Sequence, residues 1–244
     1  MRRCTLEEVA RLSGGRLIKG DPSMTVDRLH TDTRTLATGD CFVALQGDRF
    51  DGHAFVREVK NRGAVAALVS SRVIPDLPED LGLVEVTDTL EGLQRFAAAY
   101  RSLLSVKTIG VTGSSGKTST KELIAAVLEA RFRVNKTQGN LNNHFGLPLT
   151  ILTASQADQA AVWEMGMNHP GETAPLAKLA SPDSAIITTL GVSHIEFFEN
   201  RDGIAEEKAE LIRAVHSDGA VIIPAEDDYI ELLIKRAEGR RLIR

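Results

Sequence analysis

The residues best suited to chemistry form one short segment, Thr112-Gly113-Ser114-Ser115-Gly116-Lys117-Thr118-Ser119. It lies between an apolar run and an amphipathic run. Its glycines allow backbone N–H groups to curl around phosphate oxygens, and a following helix N-terminus adds partial positive charge. Lys117 would offset the charge of the phosphates, and the Thr118 hydroxyl would hold Mg²⁺. The segment therefore predicts a nucleotide-phosphate site, with a plain strand-to-helix connection as the alternative.

Two further side chains follow strands of the same predicted sheet. Glu164 lies in the apolar run 160–165, and His194 follows the run 184–190 after a short loop. Ligands of open α/β sheets bind at the carboxyl ends of the strands, where a carboxylate can reach Mg²⁺ held by Thr118. Glu164 is thus a predicted metal ligand, with a solvated strand-end carboxylate as the alternative. His194 stays open between a site residue and a surface residue.

Hydrophobic periodicity predicts the elements that must position these residues. Beyond residue 104, strands are predicted at 107–112, 160–165, 184–190 and 220–224, and helices at 119–131 and 227–237. Strands that alternate with helices indicate βαβ units and a mostly parallel sheet. The predicted fold class is α/β, with an ATPase-like central domain around the phosphate loop.

The first 85 residues predict a smaller α/β domain. A capping box at 5–8 begins a helix that stops at Gly14, strands are predicted at 41–46, 66–70 and 83–86, and a helical stretch at 53–61. A helix at 89–104 is expected to bridge two domains, at 1–85 and 86–244. Residues 241–244 predict a strand just beginning, so we expect a fragment that ends inside the second domain.

Composition excludes several classes of protein. The chain has 244 residues, 43% hydrophobic, with a formal net charge of −4, which is ordinary for a globular protein. It has no basic stripe for a nucleic-acid partner and no apolar run near the ~20 residues that span a bilayer. The two isolated cysteines, Cys4 and Cys41, predict reduced thiols in a cytoplasmic protein. A monomer is the expected state.

Several segments resemble, in the same order, the superfamily of Mur ligases and folylpolyglutamate synthetases. The phosphate loop has the superfamily's form T-G-x-x-G-K-S/T, and residues 137–148 resemble its substrate-facing loop, G-N…G-L/V/I-P. Residues 163–172 resemble the segment E-L/M-G-x-N-x-x-G-E. Upstream, residues 31–34 and 47–53 are similar to the family's uridine-nucleotide-binding domain. The resemblance covers nearly the whole chain.

The resemblance implies an ATP-dependent ligase that phosphorylates a carboxylate and joins it to an amine. The loop form G-N-L-N-N is similar to the branch that adds D-alanyl-D-alanine to UDP-N-acetylmuramoyl-tripeptide (UDP-MurNAc-tripeptide) in peptidoglycan synthesis. ATP and Mg²⁺ are then the cofactors, and UDP-MurNAc-tripeptide and D-Ala-D-Ala the substrates. It also implies that the family's C-terminal ligase domain is absent, so we expect this chain to be inactive alone.

The resemblance further implies roles for single residues. Glu164 matches a glutamate shared by two magnesium ions, and His194 matches the histidine of the second metal. Lys208, otherwise part of a charged solvent face, matches a lysine that is carbamylated and then binds Mg²⁺. The predicted catalytic set is Lys117, Glu164, His194 and Lys208, and the predicted metal ligands are Thr118, Glu164, His194 and Lys208.

Substrate contacts are expected in both domains. Those to the nucleotide sugar are Thr33, Arg34, Arg49, Asp51, Gly52 and His53, and those to the muramoyl group are Asn140 and Asn143. His53 suits the start of a helix equally well. Three other functions remain open: a Mur ligase that adds the third residue, a folylpolyglutamate synthetase, or, for this chain, a binding module without ligase activity.

Overall fold

The computed structural model describes residues 1–47, 50–70 and 77–244. They form two compact units, 1–103 and 104–244. The boundary lies after the helix Thr89–Ser102, and not at 85/86 as predicted. This helix belongs to the first unit, where it packs against the helix Leu6–Ser13 and the strand Ala66–Ser70. Within the described residues no helix is long and apolar enough to cross a membrane.

The first unit is built on a mixed sheet. Its elements are β1 (Cys4–Thr5), α1 (Leu6–Ser13), β2 (Arg16–Lys19), β3 (Thr25–Val26), β4 (Arg28–His30), β5 (Asp40–Val43), β6 (Ala66–Ser70), β7 (Gly82–Val86) and α2 (Thr89–Ser102). In the described residues the sheet has the order β2-β7-β6-β5-β4, and β1 pairs with β3. The pair β2–β7 is antiparallel, whereas β4 to β7 run parallel.

Local capping explains where the first unit matches the predicted helices and where it does not. The capping box is confirmed: the Thr5 hydroxyl accepts the Glu8 N–H at 3.1 Å, and the Glu8 carboxylate accepts the Thr5 N–H at 3.0 Å. Residues 53–61 form no α-helix. They form two short 3-10 helices, Gly52–Phe55 and Val59–Arg62, joined by a turn at 56–58, and a third 3-10 helix spans Thr33–Thr35. Asp51 caps the Gly52–Phe55 turn through the His53 N–H, which favours a tight turn over a helix.

The second unit is a parallel sheet with helices between its strands. Its elements are β8 (Lys107–Thr112), α3 (Lys117–Glu129), β9 (Val134–Lys136), α4 (Gly146–Thr153), β10 (Ala160–Glu164), α5 (Thr173–Ala180), β11 (Ser184–Ile187), α6 (Arg201–Arg213), β12 (Ala220–Ile222), α7 (Ile230–Arg236) and β13 (Arg241–Ile243), with a 3-10 turn at Ile195–Phe197. The strand order is β13-β12-β11-β8-β10-β9. Each of these pairs is parallel, which confirms the predicted α/β class.

The register of the central strands decides where the site lies. Glu164, the last residue of β10, stands opposite Val111 of β8, and Ile187 of β11 stands opposite Thr112. The carboxyl ends of these parallel strands therefore meet at one edge. Val111 and Val162 are buried against Ala125 of α3, so the helix that follows the phosphate loop packs on the face of the same two strands.

Candidate functional site

The loop between β8 and α3 is shaped to hold phosphate. Gly113 and Gly116 have φ angles of 151° and 78°, which glycine adopts without the steric cost that a Cβ would bring. Helix α3 begins directly afterwards, at Lys117. The N–H groups of a helix's first turn have no partner within the helix and carry partial positive charge. The predicted loop residues thus form a cradle for an anion.

Two threonines after β11 fix the shape of this cradle. The Thr188 hydroxyl donates to Ser115 O at 2.5 Å and lies only 1.9 Å from the position that a Cβ on Gly113 would take. Thr189 accepts two N–H groups of the loop, from Ser114 to its carbonyl at 2.8 Å and from Ser115 to its hydroxyl at 3.2 Å. Neither threonine was predicted as a site residue, although both lie near the carboxyl end of the predicted strand 184–190.

Lys117 lies across the loop that it follows. Its ammonium donates to Gly113 O at 2.8 Å. Burial lowers the pKa of Lys117, and the carboxylate of Glu164 opposes that effect. Glu164 is therefore near enough to interact with the lysine charge, as the prediction of a common site requires.

The Glu164 carboxylate is buried and contacts the phosphate loop. Only 2% of the residue is exposed. Its Oε2 accepts from the Thr118 hydroxyl at 2.9 Å, and its Oε1 accepts from the Asn142 amide at 2.8 Å. A hydroxyl and a carboxylate beside bound phosphates are the oxygen ligands that Mg²⁺ prefers. Thr118 and Glu164 therefore fit a Mg²⁺ ion that binds together with a nucleotide.

Lys208 points into the protein and not into solvent. It lies on α6 and is 1% exposed, so the interpretation as a charged solvent face is wrong for this residue. Burial, together with the positive charge of nearby Lys117, lowers the pKa of Lys208 to about 8. Next to it, the Glu207 carboxylate accepts the N–H groups of Gly171 and Thr173, which attaches α6 to the segment before α5.

His194 lies in a loop that is attached to the phosphate loop. The Ser193 hydroxyl donates to Ser114 O at 3.0 Å, and the Gly191 N–H donates to Ser114 Oγ at 2.8 Å. His194 itself adopts the left-handed conformation, with φ 63°. Among the described residues no group of three His, Cys, Asp or Glu side chains could hold a metal. The metal role of His194 therefore stays a prediction.

The asparagines of the loop 138–146 have different partners. Asn143 Oδ1 accepts the N–H groups of Phe145 at 3.2 Å and Gly146 at 2.9 Å, so its side-chain oxygen caps α4. Asn140 is exposed. Asn142, which was not predicted, is the one that reaches Glu164. Nothing in the motif distinguishes the three asparagines before the chain is folded.

In the first unit, His53 lines a cavity of about 390 Å³ together with Gln46, Ser70, Thr87, Asp88, Thr89 and Leu90. Its Nδ1 bonds to Asp51 Oδ1 at 2.6 Å, and its Nε2 accepts the Ser70 N–H at 2.9 Å. The Ser70 hydroxyl also lies 3.0 Å from Nε2. The Ser70 N–H occupies the lone pair of His53 Nε2, so the ring cannot take a proton from the Ser70 hydroxyl. Asp51, His53 and Ser70 therefore shape the cavity wall.

Of the other predicted nucleotide-sugar residues, Thr33, Arg34, Asp51 and Gly52 do not line this cavity. Thr33 and Arg34 belong to the turn Thr33–Thr35. The Arg34 guanidinium binds the Asp32 carboxylate at 2.6 Å, which holds the pKa of Asp32 well below its usual range. Gly52 is buried against Leu45 O, where a Cβ would stand 2.7 Å away, so local packing leaves no room for a side chain at this position. Arg49 lies outside the described residues.

The sheet is parallel, a phosphate loop follows β8, and a buried carboxylate ends the neighbouring strand β10. These features together define a P-loop nucleotide-binding protein. Residues 111–243 match the Mur ligase middle domain, and residues 25–101 match the Mur ligase family catalytic domain. The chain belongs to the Mur ligase family.

Individual relatives agree with the family assignment. The UDP-N-acetylmuramoyl-tripeptide–D-alanyl-D-alanine ligase of Bacillus subtilis is 43% identical over 93% of this chain and 50% of its own length. Among solved structures, MurF from Acinetobacter baumannii gives a TM-score of 0.93 at 33% identity, covering 100% of this chain and 53% of that one. MurF from Thermotoga maritima, in complex with ADP, gives 0.78 at 34% identity, covering 88% and 49%. The chain thus spans about half the length of these relatives.

Proposed function

We propose that this chain supplies the substrate-binding and phosphoryl-transfer part of a ligase that adds D-alanyl-D-alanine to UDP-MurNAc-tripeptide. The Thr118–Glu164 contact beside the phosphate loop carries the proposal, because it joins a hydroxyl of the nucleotide loop to a buried carboxylate that can hold the metal. The relatives of that name and the ADP complex of one of them support the choice of substrates and of ATP. The first unit would hold the uridine end, and the second unit ATP. ATP and UDP-linked precursors are cytoplasmic metabolites, so we propose that location.

In this function the protein mainly positions groups and stabilises charge. The tripeptide carboxylate attacks the γ-phosphoryl group of ATP, giving an acyl phosphate and ADP, and the amine of D-Ala-D-Ala then displaces phosphate. Lys117 and the N–H groups at the start of α3 would bind the phosphate oxygens, while Glu164 and Thr118 would hold Mg²⁺. Bound Mg²⁺ supplies further neutralisation of the charge that develops on those oxygens.

We also propose that Lys208 reacts with CO₂. With a pKa of about 8, about one in five Lys208 side chains is neutral at pH 7.4, against fewer than about one in a thousand for an ordinary lysine. The neutral nitrogen attacks CO₂, an N–C bond forms, and one proton leaves to give a carbamate. ¹³C-labelled bicarbonate should therefore produce a carbamate NMR signal that the Lys208→Met variant lacks.

Reconstitution in trans tests the ligase proposal. The purified chain is mixed with the separately expressed C-terminal domain of the Bacillus subtilis relative, ATP, Mg²⁺, UDP-MurNAc-tripeptide and D-Ala-D-Ala. We expect the pentapeptide product by mass spectrometry, and none with Lys117→Ala, because that ammonium offsets phosphate charge. Substrate binding without product would instead favour a binding module, and product from Lys117→Ala would contradict the phosphate-loop assignment.

A further inference from the structure

Asn142 is hydrogen-bonded to the backbone just after β10, the strand that carries Glu164. Its carbonyl oxygen accepts the Gly166 N–H at 2.9 Å, and its Nδ2 donates to Glu164 Oε1 at 2.8 Å. Its carboxamide lies over Gly166, where an added Cβ would stand 3.0 Å from Asn142 Oδ1. Gly166 has no left-handed φ, so it is not needed for its backbone conformation. What it provides is the space for this amide.

The other end of the loop is attached to the same glutamate. Thr137 Oγ1 accepts the Glu164 N–H at 2.9 Å, and Thr137 O accepts from the Lys121 ammonium at 2.7 Å. Lys121 is 1% exposed and lies on α3, the helix that also carries Thr118. The loop is therefore fixed at two points to Glu164, and through Lys121 to the helix of the phosphate loop.

These contacts give the two oxygens of Glu164 different roles. Oε1 is bound by the Asn142 amide, whereas Oε2 accepts from the Thr118 hydroxyl. A rotation of the carboxylate plane would break both hydrogen bonds. Asn142 thus holds the carboxylate in the orientation in which Oε2 faces the phosphate loop.

We propose that Asn142 is a positioning residue for the metal-binding carboxylate, and that it couples the loop 138–146 to the nucleotide site. This inference rests on the proposed function, in which Glu164 and Thr118 hold Mg²⁺ beside ATP. A ligand that holds the loop against the sheet keeps Glu164 aligned, and one that draws it away releases Oε1. A substrate that holds the loop against the sheet and Mg²⁺-bound ATP therefore favour each other's binding, by the reciprocity of linked equilibria.

Calorimetric titration of ATP into this chain, once with Mg²⁺ and once with EDTA, isolates the metal-dependent part of binding. For Asn142→Ala we expect the affinity gained from Mg²⁺ to fall about ten-fold, the size of one hydrogen bond to a charged group. Binding in EDTA should change less than about two-fold, because Asn142 acts through Glu164. The Asn61→Ala variant, which removes an exposed asparagine of the first unit, is the control and should match the wild type.

Two further variants separate positioning from simple loss of structure. Gly166→Ala should reduce the gain from Mg²⁺ in the same direction as Asn142→Ala but by less, since its Cβ crowds the amide at 3.0 Å without removing it. Asn142→Asp keeps the size of the side chain but places a second carboxylate at the 2.8 Å contact with Glu164. Mg²⁺ without nucleotide should then raise the Tm of this variant more than that of the wild type.

Each outcome bears on a different statement. A wild type that binds ATP equally with Mg²⁺ and with EDTA contradicts the metal site of the proposed function. If Mg²⁺ strengthens ATP binding in the wild type and strengthens it equally in Asn142→Ala and Gly166→Ala, the positioning role alone is overturned. Equal weakening in Mg²⁺ and EDTA, with a lower Tm, shows a purely structural residue and overturns it as well.

Discussion

Replacement of Lys208 by methionine should stabilise the second unit at neutral pH. Burial lowers the pKa of Lys208 from 10.5 to about 8, so the folded protein binds this proton less tightly than the unfolded chain. A lowering of that size corresponds to about 3 kcal/mol, since each pH unit is worth about 1.4 kcal/mol. Methionine has a similar length and no charge, so it removes this penalty and keeps the packing.

The sign of the pH dependence follows from the same difference. Between pH 8 and 10.5 the unfolded chain binds the proton and the folded chain does not, so the free energy of unfolding of the wild type rises with pH in that window. Below pH 8 the penalty is complete. Lys208→Met should therefore be more stable by up to about 3 kcal/mol near pH 7, with the advantage shrinking toward pH 10.

Urea unfolding monitored by tryptophan fluorescence measures this directly. The sequence has one tryptophan, Trp163, and it is fully buried in β10, so the signal reports the second unit. Buffers free of CO₂ keep Lys208 unmodified. Lys178→Met, which removes an exposed lysine of α5, is the matched control and should show no such pH dependence. A Lys208→Met variant that is less stable by a constant amount from neutral to alkaline pH would refute the reasoning.

Three other substitutions test separate parts of the structure. Gly113→Ala should abolish ATP binding in calorimetry, because its Cβ meets Thr188 Oγ1 at 1.9 Å; full binding would contradict the rigid loop. Lys121→Met should lower the free energy of unfolding by about 1–3 kcal/mol, since Thr137 O loses its buried donor; unchanged urea unfolding would show that water replaces the ammonium. His53→Ala should weaken binding of UDP by up to about ten-fold, because the cavity wall loses the ring that joins Asp51 to Ser70, and leave ATP binding unchanged; unchanged UDP binding would exclude the 390 Å³ cavity as the uridine site.

The sequence predicts the parallel sheet and the phosphate loop because both signals are local. Alternating apolar strands and amphipathic helices mark βαβ units, and the loop's glycines and lysine are contiguous. The position of Glu164 also follows, since parallel strands end at one edge. The family resemblance, which rests on several motifs in order, is confirmed by the matches over residues 25–101 and 111–243.

What the sequence could not predict depends on packing between distant segments. Lys208 has the pattern of a solvent-exposed lysine among glutamates, yet α6 turns it inward. Asn142 is one of three similar asparagines, and only the fold shows that Gly166 leaves room for its amide. Strands of two to four residues, such as β3 and β9, are too short to show a period. The boundary between the units lies after Leu103 and not at 85/86, because α2 packs against α1. Periodicity predicts the helix but does not show which element it packs against.

Calorimetric titration with UDP-MurNAc-tripeptide, alongside a folate substrate, tests the proposed substrate most directly. The wild-type chain is used for both ligands. We predict saturable binding of the tripeptide nucleotide and no binding of the folate, since the first unit would hold the uridine end. Binding of the folate alone, or of neither ligand, would contradict the proposed substrate.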